Sequence, residues 1–159
     1  MTRLESAAAA ASLSIETLSR RYGGTLAVNG ASLAAAPGEI LCLLGQSGCG
    51  KTTLLRLIAG IEKPDSGVIR LGGRAVSGDG IFVPPERRGV GLVFQDYALF
   101  PHLTILDNVM FGLAGQPAAQ RRDRAAAMLA QVHLDHLAQS YPHMLSGGEQ
   151  QRVAIARAL

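Results

Sequence analysis

The rhythm of apolar and polar positions changes several times along this chain. Between Leu13 and Tyr22 apolar residues recur at Leu13, Ile15 and Leu18, a partial alternation that predicts a strand with one wet face. After the turn at Gly23-Gly24, Leu26 to Ala36 predicts a second strand, closed by Pro37-Gly38. Ile40 to Leu44 is an unbroken apolar run, the pattern of a strand buried on both faces in a parallel sheet. Lys51 to Ala59 then shifts to helical spacing, with Leu54, Leu55, Leu57 and Ile58 apolar and Gly60 placed to end it. A turn at Pro64-Asp65-Ser66-Gly67 leads into a short strand over Val68 to Leu71. Gly72 to Arg88, rich in Gly and Pro, reads mostly as loop, and Val90 to Phe94 as another short strand.

The remainder reads as helical. Thr104, with Asp107 three residues on, caps a helix reaching Phe111. Pro117 to Leu137 is one helix, or two with a break near His133, and Gly147 to Leu159 is the last. Met1 to Ser12 reads as a flexible tail. Strands mixed with helices, one strand running straight into a glycine-rich loop, predict an α/β domain.

Composition narrows the classes. A chain of 159 residues suits one domain with one core, and with aromatics at 4% and no Trp that core is aliphatic. A net charge of +3, with scattered basic residues, is too mild for nucleic-acid binding. Arg121, Arg122 and Arg124 form the one local cluster and read as a solvated helix face. Two cysteines, Cys42 and Cys49, make no disulfide scaffold and fit a reducing compartment. No apolar run approaches the roughly 20 residues of a membrane span, so if the protein works at a membrane something else must anchor it.

The first candidate chemistry is Gly45-Gln46-Ser47-Gly48-Cys49-Gly50-Lys51-Thr52, which fits G-x-x-x-x-G-K-[ST]. A triphosphate carries more charge than a few side chains can surround. Glycines let the backbone curl until successive N–H groups face inward, and a helix N-terminus adds partial positive charge. Lys51 reaches the β- and γ-phosphates, the Thr52 hydroxyl is a ligand for Mg²⁺, and Thr53 completes the phosphate-binding set. Cys49 occupies a free position of the loop as a small residue that fits.

The second is Leu145-Ser146-Gly147-Gly148-Glu149. Ser146 and Glu149 make a capping box, S-x-x-E, ahead of an apolar run. Capping does not explain Gly147-Gly148, which cost a helix roughly 1 kcal/mol each relative to Ala. Bare glycines at a helix start let an anion approach the backbone donors. One nucleotide in one loop has no evident need of a second such tip, whereas a site shared by two chains does.

Taken together, Gly45 to Thr52 and Leu145 to Glu149 resemble the Walker A and signature motifs of the ABC transporter ATPases, and the resemblance covers about Leu13 to Leu159. It implies that Tyr22 stacks on adenine and that Gln95 is the glutamine that touches Mg²⁺ or the attacking water, in a loop that senses the membrane partner. Lys51 and Gln95 are then the catalytic pair, Thr52 and Gln95 the metal ligands, and ATP with Mg²⁺ the cofactors. Ser146, Gly147, Gly148 and Glu149 bind the nucleotide held by the opposite chain. Asp96 to Gly112, with Ala98 to Thr104 inside it, resembles the stretch that begins the helical subdomain of importer ATPases, and its apolar loop character suits docking against a membrane subunit; inward packing of Leu99 and Phe100 is the alternative. Val83 to Gly89 looks most like the subfamily serving ferric-iron, polyamine, sulfate and sugar importers, although Gln46 stands where that subfamily often has Pro.

The resemblance implies a P-loop α/β core with an N-terminal antiparallel β-subdomain over residues 13–96, a helical subdomain over 97–145, and the signature motif with the start of its helix over 146–159. The implied partners are a second ATP-binding subunit in a head-to-tail dimer, transmembrane permease subunits and, indirectly, a solute-binding protein. The implied location is the cytoplasmic face of the bacterial inner membrane. The family's next element, a buried strand ending in Asp-Glu, is not in this sequence, nor is its switch histidine: His102, His133, His136 and His143 read as surface or packing residues. The fold is therefore expected to be incomplete at the C-terminus, and the 159 residues alone to hydrolyse ATP weakly or not at all. A catalytically inactive nucleotide-binding fragment remains an alternative. A soluble DNA-repair or chromosome-type relative is a weaker one, since the stretch between the two motifs holds neither heptads nor Cys pairs.

Overall fold

The computed structural model describes residues 12–113 and 115–159. The first eleven residues of the predicted tail lie outside that range, but Ser12 is bound into the sheet. Its hydroxyl donates to Ala35 O at 3.1 Å, and its carbonyl accepts from Gly72 N at 2.9 Å. The chain forms two compact units, Met1–Val90 and Gly91–Leu159.

The first unit is built on a five-stranded antiparallel sheet in the order β2-β1-β3-β4-β5. Its strands are β1 (Leu13–Tyr22), β2 (Thr25–Ala35), β3 (Ser66–Leu71), β4 (Arg74–Gly78) and β5 (Ile81–Phe82). The partial alternation of β1 has the expected result: Ile15 and Leu18 are buried while Glu16 and Thr17 face solvent. Helix α1 (Lys51–Ala59) packs Leu54 and Leu57 into a core with Ile15, Leu18, Val28, Ile69 and Val76. Gly60 ends it in a left-handed conformation, returning its N–H to Arg56 O and Leu57 O.

Three expectations require correction. Gly72 to Arg88 is not mostly loop, since it contains β4, β5 and a 3₁₀ turn at Pro85–Arg87. Gly72 and Gly73, at φ 54° and 78°, supply the two left-handed residues of a tight hairpin between Leu71 and its cross-strand partner Arg74. Neither Ile40 to Leu44 nor Val90 to Phe94 is a strand. A run buried on both faces needs a hydrogen-bonded neighbour along each edge and packing on each face. Among the described residues neither segment has a ladder partner, and Ile40 and Leu44 are 95% and 90% exposed. Leu43 alone of the first run packs against the core.

The second unit is helical: α2 (Ile105–Gly112), α3 (Ala118–Gln131) and α4 (Gly147–Ala158), with 3₁₀ turns at Asp135–Leu137 and Pro142–Met144. Ile105, Val109, Leu129, Leu134 and Val153 form its fully enclosed centre. Thr104 caps α2, its hydroxyl accepting from Asp107 N at 3.1 Å and donating to the Asp107 carboxylate at 2.6 Å. The break predicted near His133 is there: α3 stops at Gln131, and His133 turns the chain at φ 58°. Leu99 packs on the core and Phe100 is half-buried against Phe111, the inward alternative for that stretch. No helix among the described residues is long and apolar enough to cross a membrane.

Candidate functional site

In the first unit the loop Gly45 to Gly50 delivers the chain into α1, and Gly50 is the N-cap residue, left-handed at φ 92°. Glycine is required there for a second reason. A Cβ on Gly50 would stand 2.0 Å from the carbonyl oxygen of Ala27, so the start of α1 is pressed directly onto β2. A Cβ on Gly45 would meet Cys49 Sγ at 2.6 Å. The curl of the loop is thus set by the approach of Gly50 to the β2 backbone and of Gly45 to the Cys49 side chain.

Lys51 folds back over this curl. Its Nζ donates to Gly45 O at 2.8 Å and Gln46 O at 2.7 Å, and lies 3.4 Å from Cys49 Sγ. Two carbonyl oxygens occupy the ammonium donors that phosphate oxygens would take. Among the described residues the ammonium is held by two neutral backbone acceptors and no carboxylate, so an incoming anion meets no ion pair there. A cleft of about 400 Å³ opens beside the loop, lined by Leu26, Ala27, Val28 and Asn29 of β2 with Leu43, Cys49, Gly50 and Lys51 among its other walls. Among the described residues no Asp or Glu lines it. Ser47, Gly48 and Thr52 are exposed, and Thr53 is half-buried.

Tyr22 ends β1 and is 42% exposed. It is not a wall of the cleft, whose β2 residues begin four positions later at Leu26. Arg20 lies over the ring, 4.9 Å from its centroid, and pairs with Asp65 at 2.8 Å. The Asp65 carboxyl is held below its ordinary range, foremost by the Arg21 backbone N–H it accepts at 2.6 Å, with the Arg20 guanidinium adding to the effect.

The second unit carries Gln95 and the second glycine motif. Gln95 opens an exposed turn over residues 95–98, and among the described residues its side chain makes no hydrogen bond. The capping box at Ser146 is complete. Glu149 N donates to the Ser146 hydroxyl at 3.4 Å, and the Glu149 carboxylate accepts from Ser146 N at 2.8 Å and from the hydroxyl at 2.6 Å. Those Ser146 donors hold the Glu149 carboxyl below its usual range. Gly147 and Gly148 are exposed, and a Cβ on Gly148 would meet nothing within 4 Å. The chain's own packing does not require glycine at Gly148, in contrast to Gly50.

Several important residues escaped the sequence reading. Arg88 is buried and binds four backbone carbonyls of the first unit, two of them at the C-terminal end of α1. Asn108 is fully enclosed and ties the Phe100 to Thr104 stretch to α2 through four hydrogen bonds. Arg157 grips the turn that follows Gln95. An isolated arginine, or a single asparagine within an apolar helix, gives no sign of its partners; only the clustering of backbone polar groups around it does.

Comparison with known proteins agrees with these motifs. The profile of the ABC transporter family matches residues 28–159. The chain is 52% identical to the spermidine/putrescine import ATP-binding protein PotA of Thermobifida fusca, over 98% of this chain and 41% of that protein. It is 51% identical to the sulfate/thiosulfate import ATP-binding protein CysA 2 of Chromobacterium violaceum, over 92% of this chain and 39% of that one. It therefore spans about two-fifths of the length of these curated relatives. Among solved structures it resembles the dimeric ATP-binding cassette MJ0796 in a post-hydrolysis state bound to ADP and Pi. The TM-score is 0.80 at 32% identity, covering 92% of this chain and 68% of that one. With a family profile matched from β2 to its last residue, and both glycine motifs inside the match, the chain belongs to the ABC transporter family.

Proposed function

We propose that this chain is the nucleotide-binding portion of an ATP-binding subunit that couples ATP binding and hydrolysis to solute import. One observation carries this reading most: an ammonium parked on two loop carbonyls at the tip of α1, in a chain with a second helix tip left bare of side chains. The first is a cradle for the β- and γ-phosphates, with Lys51 exchanging Gly45 O and Gln46 O for phosphate oxygens. The second, Ser146 to Glu149, serves the nucleotide of a partner copy, which explains why Gly147 and Gly148 stay bare.

Within the first unit, the Lys51 ammonium on its neutral acceptors and the exposed Thr52 hydroxyl fit a magnesium-bound triphosphate. We assign the phosphates to Lys51 and the backbone of Gly45 to Gly50 with Thr52 and Thr53, the adenine to Tyr22, and the metal to Thr52 and Gln95. When bound, Mg²⁺ neutralises charge that develops on the phosphates. Tyr22 offers the ring face opposite Arg20 for stacking.

The cargo is of the kind named in its relatives, a polyamine or an oxyanion such as sulfate. The partners are a second ATP-binding subunit and membrane permease subunits on the cytoplasmic face of the inner membrane. The divisions 13–96, 97–145 and 146–159 are proposed as core, helical subdomain and signature segment. A fluorescent ATP analogue tests the reading. It should bind the wild-type chain, and Lys51→Ala should weaken binding at least tenfold, while Ser146→Arg should abolish nucleotide-dependent pairing of two copies. Equal binding by wild type and Lys51→Ala would sink it.

A further inference from the structure

The turn after Gln95 holds two consecutive non-glycine residues in the left-handed region, Tyr97 at φ 61° and Ala98 at φ 45°. Such a pair persists only where its surroundings over-determine it. Here the turn closes on itself through Tyr97 N to Phe94 O at 3.0 Å and Ala98 N to Asp96 O at 2.7 Å, and one side chain takes its outward carbonyls. Arg157, in the last turn of α4, donates from Nη2 to Tyr97 O at 2.8 Å and from Nη1 to Ala98 O at 2.6 Å. Its guanidinium also lies 5.8 Å from the Phe100 ring centroid.

The same helix end fixes the start of the segment. A Cβ on Gly91 would stand 2.4 Å from Ala158 O, so the backbone at Gly91 rests against the end of α4. On its other side α4 is pressed onto α2, where a Cβ on Gly112 would stand 2.2 Å from Arg157 O. Gln95 therefore sits between two anchors on one helix end, and among the described residues its amide has no partner. Tyr97 also runs the other way: its hydroxyl lies 3.7 Å from where a Gly147 side chain would begin, at the opposite end of α4.

We propose that Arg157 and Tyr97 form a strut that positions Gln95 and couples the Gln95 turn to the glycine-bearing start of α4. Arg157 is a positioning residue in this scheme: it touches no ligand and acts through the backbone of Tyr97 and Ala98. The strut deepens the proposed function, because it links the residue assigned to the metal with the motif assigned to the partner's nucleotide. A signal at one reaches the other through α4 as a rigid body. A bidentate guanidinium suits this task, since its planar fork fixes both carbonyls at once, which a lysine ammonium does not.

Amide hydrogen exchange on the whole chain tests the strut without nucleotide. Arg157→Ala should speed exchange at Tyr97 and Ala98 at least tenfold and at Glu149 and Gln150 severalfold, with α2 and α3 unchanged within twofold. Arg157→Lys should restore part of the protection. Tyr97→Phe, which keeps the gripped carbonyl, should move only Glu149 and Gln150. Unchanged turn amides in Arg157→Ala would overturn the proposal, and so would acceleration spread evenly over residues 91–159 or no change at Glu149 and Gln150 in both variants. Failure of the wild-type chain to bind an ATP analogue would instead sink the functional reading and leave the exchange result standing.

Discussion

Arg88 shows how much of this protein hangs on single buried side chains. It is 5% exposed and donates to Val83 O at 2.7 Å, Leu57 O at 2.8 Å, Ile58 O at 2.9 Å and Val76 O at 3.3 Å. Two of those carbonyls end α1, where a cation also opposes the negative end of the helix dipole. Burial without a carboxylate partner lowers the guanidinium pKa, yet it stays charged. Arg88→Met should cost about 3 kcal/mol, because it strands several buried acceptors at once, and a urea midpoint measures this. Arg88→Lys should rescue little, since an ammonium cannot span four separated carbonyls. In the sequence Arg88 looks like its exposed neighbour Arg87, because the carbonyls that enclose it come mostly from residues remote in the chain. Ser146 and Glu149 were legible for the opposite reason: a capping box is a local device. Its pH dependence follows from the depressed Glu149 carboxyl. That contribution is present above the unfolded carboxylate pKa, roughly 4, and is lost as pH falls through the lower folded value. Glu149→Gln should flatten the acid side of the stability profile, with denaturant midpoints between about pH 6 and pH 3 as the check.

At the scale of elements, α1 was readable to the residue. Its apolar spacing, the glycine loop before it and Gly60 after it all speak within a dozen positions. The hairpin over β3 and β4 was just as local, and Gly72-Gly73 was its signal, masked by the Gly and Pro content around it. What no local pattern revealed is that Gly50 must also meet β2. Gly50→Ala places a methyl group 2.0 Å from Ala27 O and puts a side chain where φ is 92°. The start of α1 must then lift from β2 and the loop loses its curl. The variant should fail to bind an ATP analogue and melt at lower temperature than wild type, whereas Lys51→Ala should lose binding and keep its melting temperature. Calorimetry beside the binding titration separates the two.

For the whole molecule, the apolar runs 40–44 and 90–94 were correctly seen as apolar and wrongly seen as strands, because a strand's status depends on its neighbours and a sequence window holds none. The result is exposed aliphatic surface: Ile40 at 95%, Leu44 at 90%, with Leu41 and Val93 also open to solvent. Covering two such side chains is worth roughly 3 to 6 kcal/mol of transfer free energy, short of the roughly 8 kcal/mol net of a micromolar complex, so on its own it drives only weak association of copies at high concentration. Their backbone N–H and C=O groups, unpaired in any ladder, add a template for another chain. Sedimentation velocity should therefore show a concentration-dependent rise in mass for the wild-type chain. Ile40→Lys with Leu44→Lys should shift that rise to at least tenfold higher concentration, leaving binding at Lys51 to be measured on a monomer. A wild-type chain that stays monomeric across the whole concentration range would refute this prediction, and so would a double variant that associates as readily as wild type.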